Sequence, residues 1–247
     1  MLDYDKEAER YDALRGGEPR AEAAAGAVLG LVPDTARTLL DLGCGTGIVT
    51  RRLAEDRPAL RVTGADLTYG MARHAAARLP GAIVLADGRQ LPFRDGTFDA
   101  VTSVWLLHLL PGRGEVRATI AECARLLRPG GVYVTTVDKG PSHNVGSDID
   151  AVMAARPASP VPDASARVEA YAAEAGLVAA GEARFTGRGQ GRSPRRTITD
   201  LRRGWFMTLP PGHPLADGFA RRLAALPDQE RPRPDPEFRV RAFRKAP

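Results

Sequence analysis

From residue 38 onward, short apolar runs alternate with amphipathic stretches, and the alternation predicts strands and helices in turn. Thr38-Leu39-Leu40-Asp41-Leu42 reads as a strand running straight into glycines, and Ile48 to Glu55 as a helix closed by Pro58. Leu60 to Asp66 and Ile83-Val84-Leu85-Ala86 are further strands, separated by a helix from Met71 to Leu79 that Pro80-Gly81 ends. Phe98 to Trp105 is a fourth strand and Val132 to Val137 a fifth; between them Glu115 to Leu127 is an amphipathic helix stopped by Arg128-Pro129-Gly130-Gly131. A later helix covers Ala164 to Ala175, with strands near Val178 to Phe185 and Phe238 to Phe243. Near-continuous apolar strands alternating with helices predict an α/β fold: a mostly parallel sheet with helices on both faces.

Two stretches break the pattern. Lys139 to Asp163 carries His143 and a Pro-rich loop. Thr186 to Asp235 holds Gly187-Arg188-Gly189-Gln190-Gly191-Arg192, a helical patch near Thr199 to Met207, and Pro-rich ends. Both read as insertions into the scaffold, and long loops carry function more often than fold. The chain has 247 residues, 43% hydrophobic and 26% charged, which fits a single globular domain. No apolar run reaches the ~18 residues of a membrane helix. The start, Met1-Leu2-Asp3-Tyr4-Asp5-Lys6, lacks a signal peptide's positive flank. These features predict a cytoplasmic protein with no membrane association. Two cysteines, Cys44 and Cys123, supply neither a disulfide framework nor a metal site. The formal charge is +5, but only Lys6, Lys139 and Lys245 are lysines. Such an arginine and alanine bias is a GC-rich coding style, so the basicity is weak evidence for a nucleic-acid partner.

The chemistry begins at Asp41-Leu42-Gly43-Cys44-Gly45-Thr46-Gly47. A strand, a glycine turn and a helix start bring bare backbone up to a ligand. The dinucleotide pattern G-x-G-x-x-G fails because Ile48 occupies its third glycine position, and no Walker sequence is present. Asp66 ends the second strand, where a carboxylate can hold ribose hydroxyls, and Asp87 ends the third. Asp41, Asp66 and Asp87 therefore share the C-terminal edge of adjacent strands, where open α/β sheets bind ligands. Cys44 reads as a small filler of the turn.

The set of motifs resembles the class I S-adenosylmethionine-dependent methyltransferases, in the branch that modifies small molecules. It comprises Leu39 to Gly47, Gly64-Ala65-Asp66-Leu67-Thr68 with Met71, Asp87-Gly88-Arg89-Gln90-Leu91-Pro92-Phe93, Phe98-Asp99-Ala100-Val101, and Arg125 to Gly131. The resemblance implies a Rossmann-like, seven-stranded fold, with S-adenosyl-L-methionine as cofactor and S-adenosyl-L-homocysteine as product. It implies cofactor contacts from Tyr11, Asp41, Gly43, Cys44, Gly45, Asp66, Leu67, Met71, Asp87, Gly88 and Arg89. Thr68 stands where the family usually has serine. It also divides the chain into an N-terminal helical lid (1–35), a cofactor-binding core (36–138), and insertions over the substrate pocket (139–163 and 186–235).

Methyl transfer displaces an already activated group, so positioning can supply on the order of 7–11 kcal/mol of the barrier, and a general base ~10²–10⁴-fold where the acceptor needs one. His108, just past the fourth strand, is the candidate base or substrate contact; a satisfied core histidine is the plainer alternative. Tyr4, Trp105, His143 and Trp205 are further candidate substrate contacts. Neither [DN]-P-P-[YF] nor a proline-preceded cysteine occurs, which argues against nucleic-acid methylation of those types. The expected acceptor is nitrogen or oxygen of a small metabolite in natural-product metabolism. A solvated surface, a clamp for an anionic substrate, and an RNA contact are alternatives for the arginine run Arg184 to Arg203. An RNA or protein methyltransferase using that run, or a non-methylating user of the cofactor, are the competing functions.

Overall fold

Five parallel strands fall where the apolar runs place them: β1 (Thr38–Leu42), β2 (Arg61–Asp66), β3 (Ile83–Leu85), β4 (Phe98–Ser103) and β5 (Leu127–Val137). In this computed structural model the described residues are 4–206, 208–209 and 212–246, and the side chains of residues 4–7 and 10 lie outside that description. The remaining strands, β6 (Leu177–Thr186) and β7 (Glu237–Lys245), complete a seven-stranded sheet of order β3-β2-β1-β4-β5-β7-β6. β7 runs antiparallel to both β5 and β6, so it slots between them as the second arm of a hairpin whose connection is very long.

Helices α1 (Tyr4–Leu14), α2 (Gly17–Leu29), α3 (Ile48–Asp56), α4 (Tyr69–Arg78) and α5 (Arg113–Leu126) follow in the first half. The second half adds α6 (Lys139–Ser142), α7 (Asp148–Met153), α8 (Ser165–Glu174), α9 (Pro194–Arg202) and α10 (Pro214–Ala224). Val28 of α2 and Leu53 of α3 pack with Leu39, Val62 and Val240 on one face of the sheet. Ile120 of α5 and Val168 of α8 pack with Leu40, Val101, Tyr133 and Phe243 on the other. β1 is buried along its whole length, as a strand covered on both faces must be.

Two expectations need correcting. Arg128-Pro129-Gly130-Gly131, read as a stop before the fifth strand, already lies inside β5: Phe98 pairs with Leu127, the register shifts, and Ala100 pairs with Val132. Gly130 at φ +75° lets the extra residues bulge without breaking the ladder. The stretch read as a helical patch in a loop instead forms two helices, α9 starting earlier than expected and α10 unforeseen. Of that patch, Met207 lies outside the described residues, as do Pro210 and Pro211. A third, smaller core joins the two breaks in the pattern: Ile149 and Met153 of α7 pack with Leu201, Phe206, Leu209, Phe219 and Leu223. The segments around 148–153 and 194–226 thus fold as one helical cap.

Candidate cofactor and acceptor site

The glycine turn after β1 uses its three glycines differently. Gly43, Gly45 and Gly47 all have positive φ, which L side chains rarely adopt. A Cβ on Gly43 would meet Leu106 at 2.8 Å, and one on Gly47 would meet Ala75 Cα at 2.8 Å; one on Gly45 would enter open space. Gly43 and Gly47 are therefore bare because protein fills their surroundings. At Gly45 the backbone faces outward, as close approach of a ligand requires.

Asp66 stands beside that opening. Its carboxylate accepts from Gly45 N and Thr68 N, each at 2.8 Å. The Thr68 hydroxyl and the Leu67 N–H also face it, so ribose hydroxyls would share the carboxylate with these donors. Burial pushes Asp66 upward, against the pull of those N–H bonds. Leu67, immediately after it, is 67% exposed. Asp87 closes β3's edge and is held low by its bidentate partner Arg89, with Nη2 to Oδ2 at 2.6 Å. Gly88 packs its backbone on Leu42, where a Cβ would approach to 3.2 Å. An exposed apolar side chain, a bare glycine and two carboxylates on adjacent strand ends fit a nucleoside carrying a cationic tail.

Three of the expected cofactor contacts sit deeper. Asp41 is 2% exposed, and its Oδ2 accepts the Thr50 hydroxyl at 2.6 Å. Burial raises its pKa to about 7, so it braces the turn from behind. Met71 is 3% exposed within α4. Cys44 is buried with its thiol pushed well up by burial, and packs where a Gly64 Cβ would come within 3.0 Å of its Sγ. Tyr11 lies on α1, and Tyr4's side chain lies outside the described residues.

A latch unread in the sequence fastens α1 to the turn. The Thr46 hydroxyl donates to Asp12 Oδ1 at 2.7 Å, Arg78 donates to Asp12 Oδ2 at 2.7 Å, and a second Arg78 nitrogen donates to the Thr46 carbonyl at 2.5 Å. Tyr11 and Trp205 line a cleft of about 220 Å³ between α1 and α9, with the Arg15 guanidinium 3.2 Å above the Trp205 ring.

Past the ends of β4 and β5 the remaining candidates gather. Trp105 takes φ +57°, a strained conformation for an aromatic residue, and donates its N–H to the Thr136 hydroxyl at 2.8 Å. Its ring packs against Phe238, with the Arg20 guanidinium 4.5 Å from its centre. His143 meets the same Phe238 edge-on at 5.3 Å. His108 sits in a 3₁₀ turn (Leu107–Leu109) with a buried, unpartnered Nδ1. Burial and then Lys139 hold His108 well below the usual histidine range, so it is a neutral imidazole at pH 7. Lys139 is the residue that sequence reading passed over. It lies two residues past the end of β5, and burial with the charges of Arg15 and Arg192 lowers it to about 7. A lone lysine at a strand's C-terminal end in an arginine-rich chain was the available signal.

The arginine run Arg184 to Arg203 does not present one basic face. Arg184 pairs with Glu237 on the sheet, Arg195 pairs with Glu230, Arg196 donates to the Leu14 carbonyl, and Arg192 turns toward Lys139 and His143.

Comparison with known proteins agrees with the cofactor edge. Residues 40–135 match the methyltransferase domain model. The chain is 39% identical over 92 residues to the malonyl-[acyl-carrier protein] O-methyltransferase of Geobacter sulfurreducens, covering 34% of each chain. It is 42% identical over 93 residues to the demethylmenaquinone methyltransferase of Corynebacterium urealyticum, covering 38% of each. The matches thus span about a third of those relatives' length. Among solved structures, the [4+2]-cyclase SpnF superposes with a TM-score of 0.61 at 21% identity, over 98% of this chain and 93% of that one. Geranyl diphosphate methyltransferase superposes with a TM-score of 0.55 at 18% identity, over 91% and 78%. These two likenesses establish the fold. With the domain match over the glycine turn, Asp66 and Asp87, residues 40–135 are similar to the methyltransferase domain of these relatives.

Proposed function

We propose that this protein transfers a methyl group from S-adenosylmethionine to nitrogen or oxygen of a small metabolite, in specialised natural-product metabolism. The observation that supports it is the sharing of one sheet edge by two sets of residues. Gly45, Asp66 and Asp87 lie at the ends of β1 to β3. Trp105, His108 and Lys139 lie past β4 and β5. The bound cofactor supplies an activated methyl on a sulfonium, open to in-line displacement. The chain's own part is to orient an acceptor and keep water out, with His108 a neutral imidazole that can contact the acceptor while burial disfavours its protonated form.

The small-molecule reading is favoured over RNA or protein by the dispersal of the arginine run among partners on other segments. A non-methylating reaction stays the second reading, because a cyclase shares this fold and fold does not fix function. Two measurements test the proposal. S-adenosylhomocysteine at ~100 times its Kd should raise Tm by roughly 5–10 °C, the equivalent of about 2.7 kcal/mol. S-adenosylmethionine with a labelled methyl group, incubated with an extract of the producing organism, should then label the small-molecule fraction. Label in RNA or protein would refute the acceptor class. A Tm shift with no label anywhere would favour the non-methylating reading.

A further inference from the structure

Beyond the cofactor edge, cations outnumber acids in one half-buried place. Lys139 feels Arg15, Arg192 and Arg20, while His143 feels Lys139, Arg192, Arg15 and His108. The acid facing Lys139 is Asp163, whose Oδ2 accepts the Lys139 backbone N–H at 2.9 Å. Asp138, next along the chain, is taken by Arg239 at 2.6 Å. Asp200 faces Arg15, Arg196, Arg192 and Arg203 from α9.

The same place collects buried polar atoms without partners. They are Trp105 Nε1, Arg20 Nε, Gln190 Nε2 and His108 Nδ1, together with Asp163 Oδ1. Buried polar groups are bonded with few exceptions. Here Trp105, Arg20 and Gln190 contribute orphaned N–H donors. Gln190, Arg192 and His143 also line one small pocket beside Ser147, where the acid Asp150 faces Arg192 but its Oδ2 is engaged by Val145 N, Ser147 N and the Ser147 hydroxyl. Concentrated positive charge and unfilled donors require an acceptor that carries negative charge on oxygen. A protonated amine would meet like charge from Lys139 and Arg192.

We infer that this cluster anchors the methyl acceptor and that the acceptor is an organic anion, its carboxylate or equivalent oxyanion held by Lys139 and Arg192 with N–H groups of Trp105 and Gln190. The inference rests on the methyl-transfer reading and names its substrate class. Within the arginine run it puts the anion contact at Arg192 and not at Arg195 or Arg196, whose side chains are engaged by Glu230 and the Leu14 carbonyl.

The acceptor need not be identified for the inference to be tested. The small-molecule fraction of the producing organism's extract is passed over a strong anion exchanger at neutral pH, and each fraction is offered to the enzyme with labelled S-adenosylmethionine. Acceptor capacity should be retained and recovered in the salt eluate; capacity in the flow-through overturns the inference while leaving methyl transfer intact. No label from any fraction instead overturns the methyl-transfer reading, and this inference with it. Lys139→Met and Arg192→Gln should each raise KM for the retained pool about ten- to hundredfold, as loss of a charged hydrogen bond does. Both should keep the S-adenosylhomocysteine-induced Tm shift, which shows that they fold.

The pH profile separates charge from mere packing. Lys139 carries its proton below about 7 and loses it above, so KM should climb through that pH in the wild type. Guanidinium groups do not titrate in this range, and His108 and His143 are held well below the usual range and are already neutral. Asp163 is raised by burial, and its ionisation would show equally in Lys139→Arg. Lys139→Arg should flatten the climb at a low KM. A KM equally pH-dependent in Lys139→Arg, or unchanged in Lys139→Met, overturns the assignment.

Discussion

At the cofactor edge, backbone does the positioning: three glycines, two strand-end carboxylates and the N–H groups of Gly45 and Thr68. In the cap, side chains do it, across long separations. Arg233 grips both Asp148 oxygens, at 2.7 and 2.6 Å, from 85 residues away. Asp235 accepts from Gly189 and Gly191, and Gln229 donates to carbonyls at the end of α10 and just beyond it. The two regions also differ in their cores, since Ile149, Leu209 and Leu223 form a cluster separate from those on either face of the sheet. A ligand read by backbone constrains a short, local sequence, whereas a pocket built from two insertions can be rebuilt without touching it.

The largest expected effects lie within the turn. Gly47→Val places side chain against the Ala75 backbone at a positive φ. Overpacking of about 1–3 kcal/mol adds to about 1–2 kcal/mol for a left-handed L-residue. Denaturant unfolding should therefore lose about 2–5 kcal/mol. Gly45→Ala has open space and carries only the conformational cost of about 1–2 kcal/mol, yet it should abolish the S-adenosylhomocysteine-induced Tm shift. Equal stability losses for the two variants, or an undiminished shift in Gly45→Ala, would break the distinction between glycines bare for protein and one bare for a ligand.

Next comes the cap. Leu223 is fully buried in the cap core, so Leu223→Ala should cost about 2–5 kcal/mol. If the two regions are separable, amide exchange should quicken in α7, α9 and α10 while β1 to β4 keep their protection. KM for the acceptor should rise and S-adenosylhomocysteine affinity should hold. Equal acceleration in the sheet would show one cooperative unit.

This contrast explains what sequence could reveal. The parallel strands, the turn and the strand-end acids are legible because burial on both faces forces apolar runs and because the glycine turn follows a strand directly. Asp99 belongs to the matched motifs too, but its role is long-range: it accepts from Arg37 N, Thr38 N and the Thr38 hydroxyl, 61 and 62 positions away, to tie β4 to β1. The cap was illegible for two reasons. Pro194 and Pro214 each open a helix at its first position inside a stretch read as a loop with Pro-rich ends, with Ser193 accepting from Arg196 N and His213 Nδ1 from Leu215 N. The arginine run looked uncompensated because Glu230 and Glu237 are distant in sequence. Lys139 was missed because its lowered basicity comes from burial, and then from arginines on the α1–α2 connection, in the loop before α9 and on α2.

The smallest effect concerns the seam between the regions. Helix α1 and the residue after it touch both: Asp12 bonds Thr46 of the turn and Arg78 of α4, while Leu14 and Arg15 meet Arg196 and Trp205 of the cap. The Asp12–Arg78 pair is partly solvent-exposed, which reduces its worth to roughly 1 kcal/mol. Asp12→Asn can still accept the Thr46 hydroxyl but loses the charge that holds Arg78. Isothermal titration with S-adenosylhomocysteine should then give a Kd raised about three- to tenfold, through faster release, with Tm of the free protein nearly unchanged. Thr46→Val, which removes only the hydroxyl, should weaken binding less. The double variant should not exceed Asp12→Asn by the full Thr46→Val increment, because the two changes act on one hydrogen-bonded unit. Full additivity would mean that α1 does not fasten to the turn as a latch, and would leave the cap contacts as its anchor.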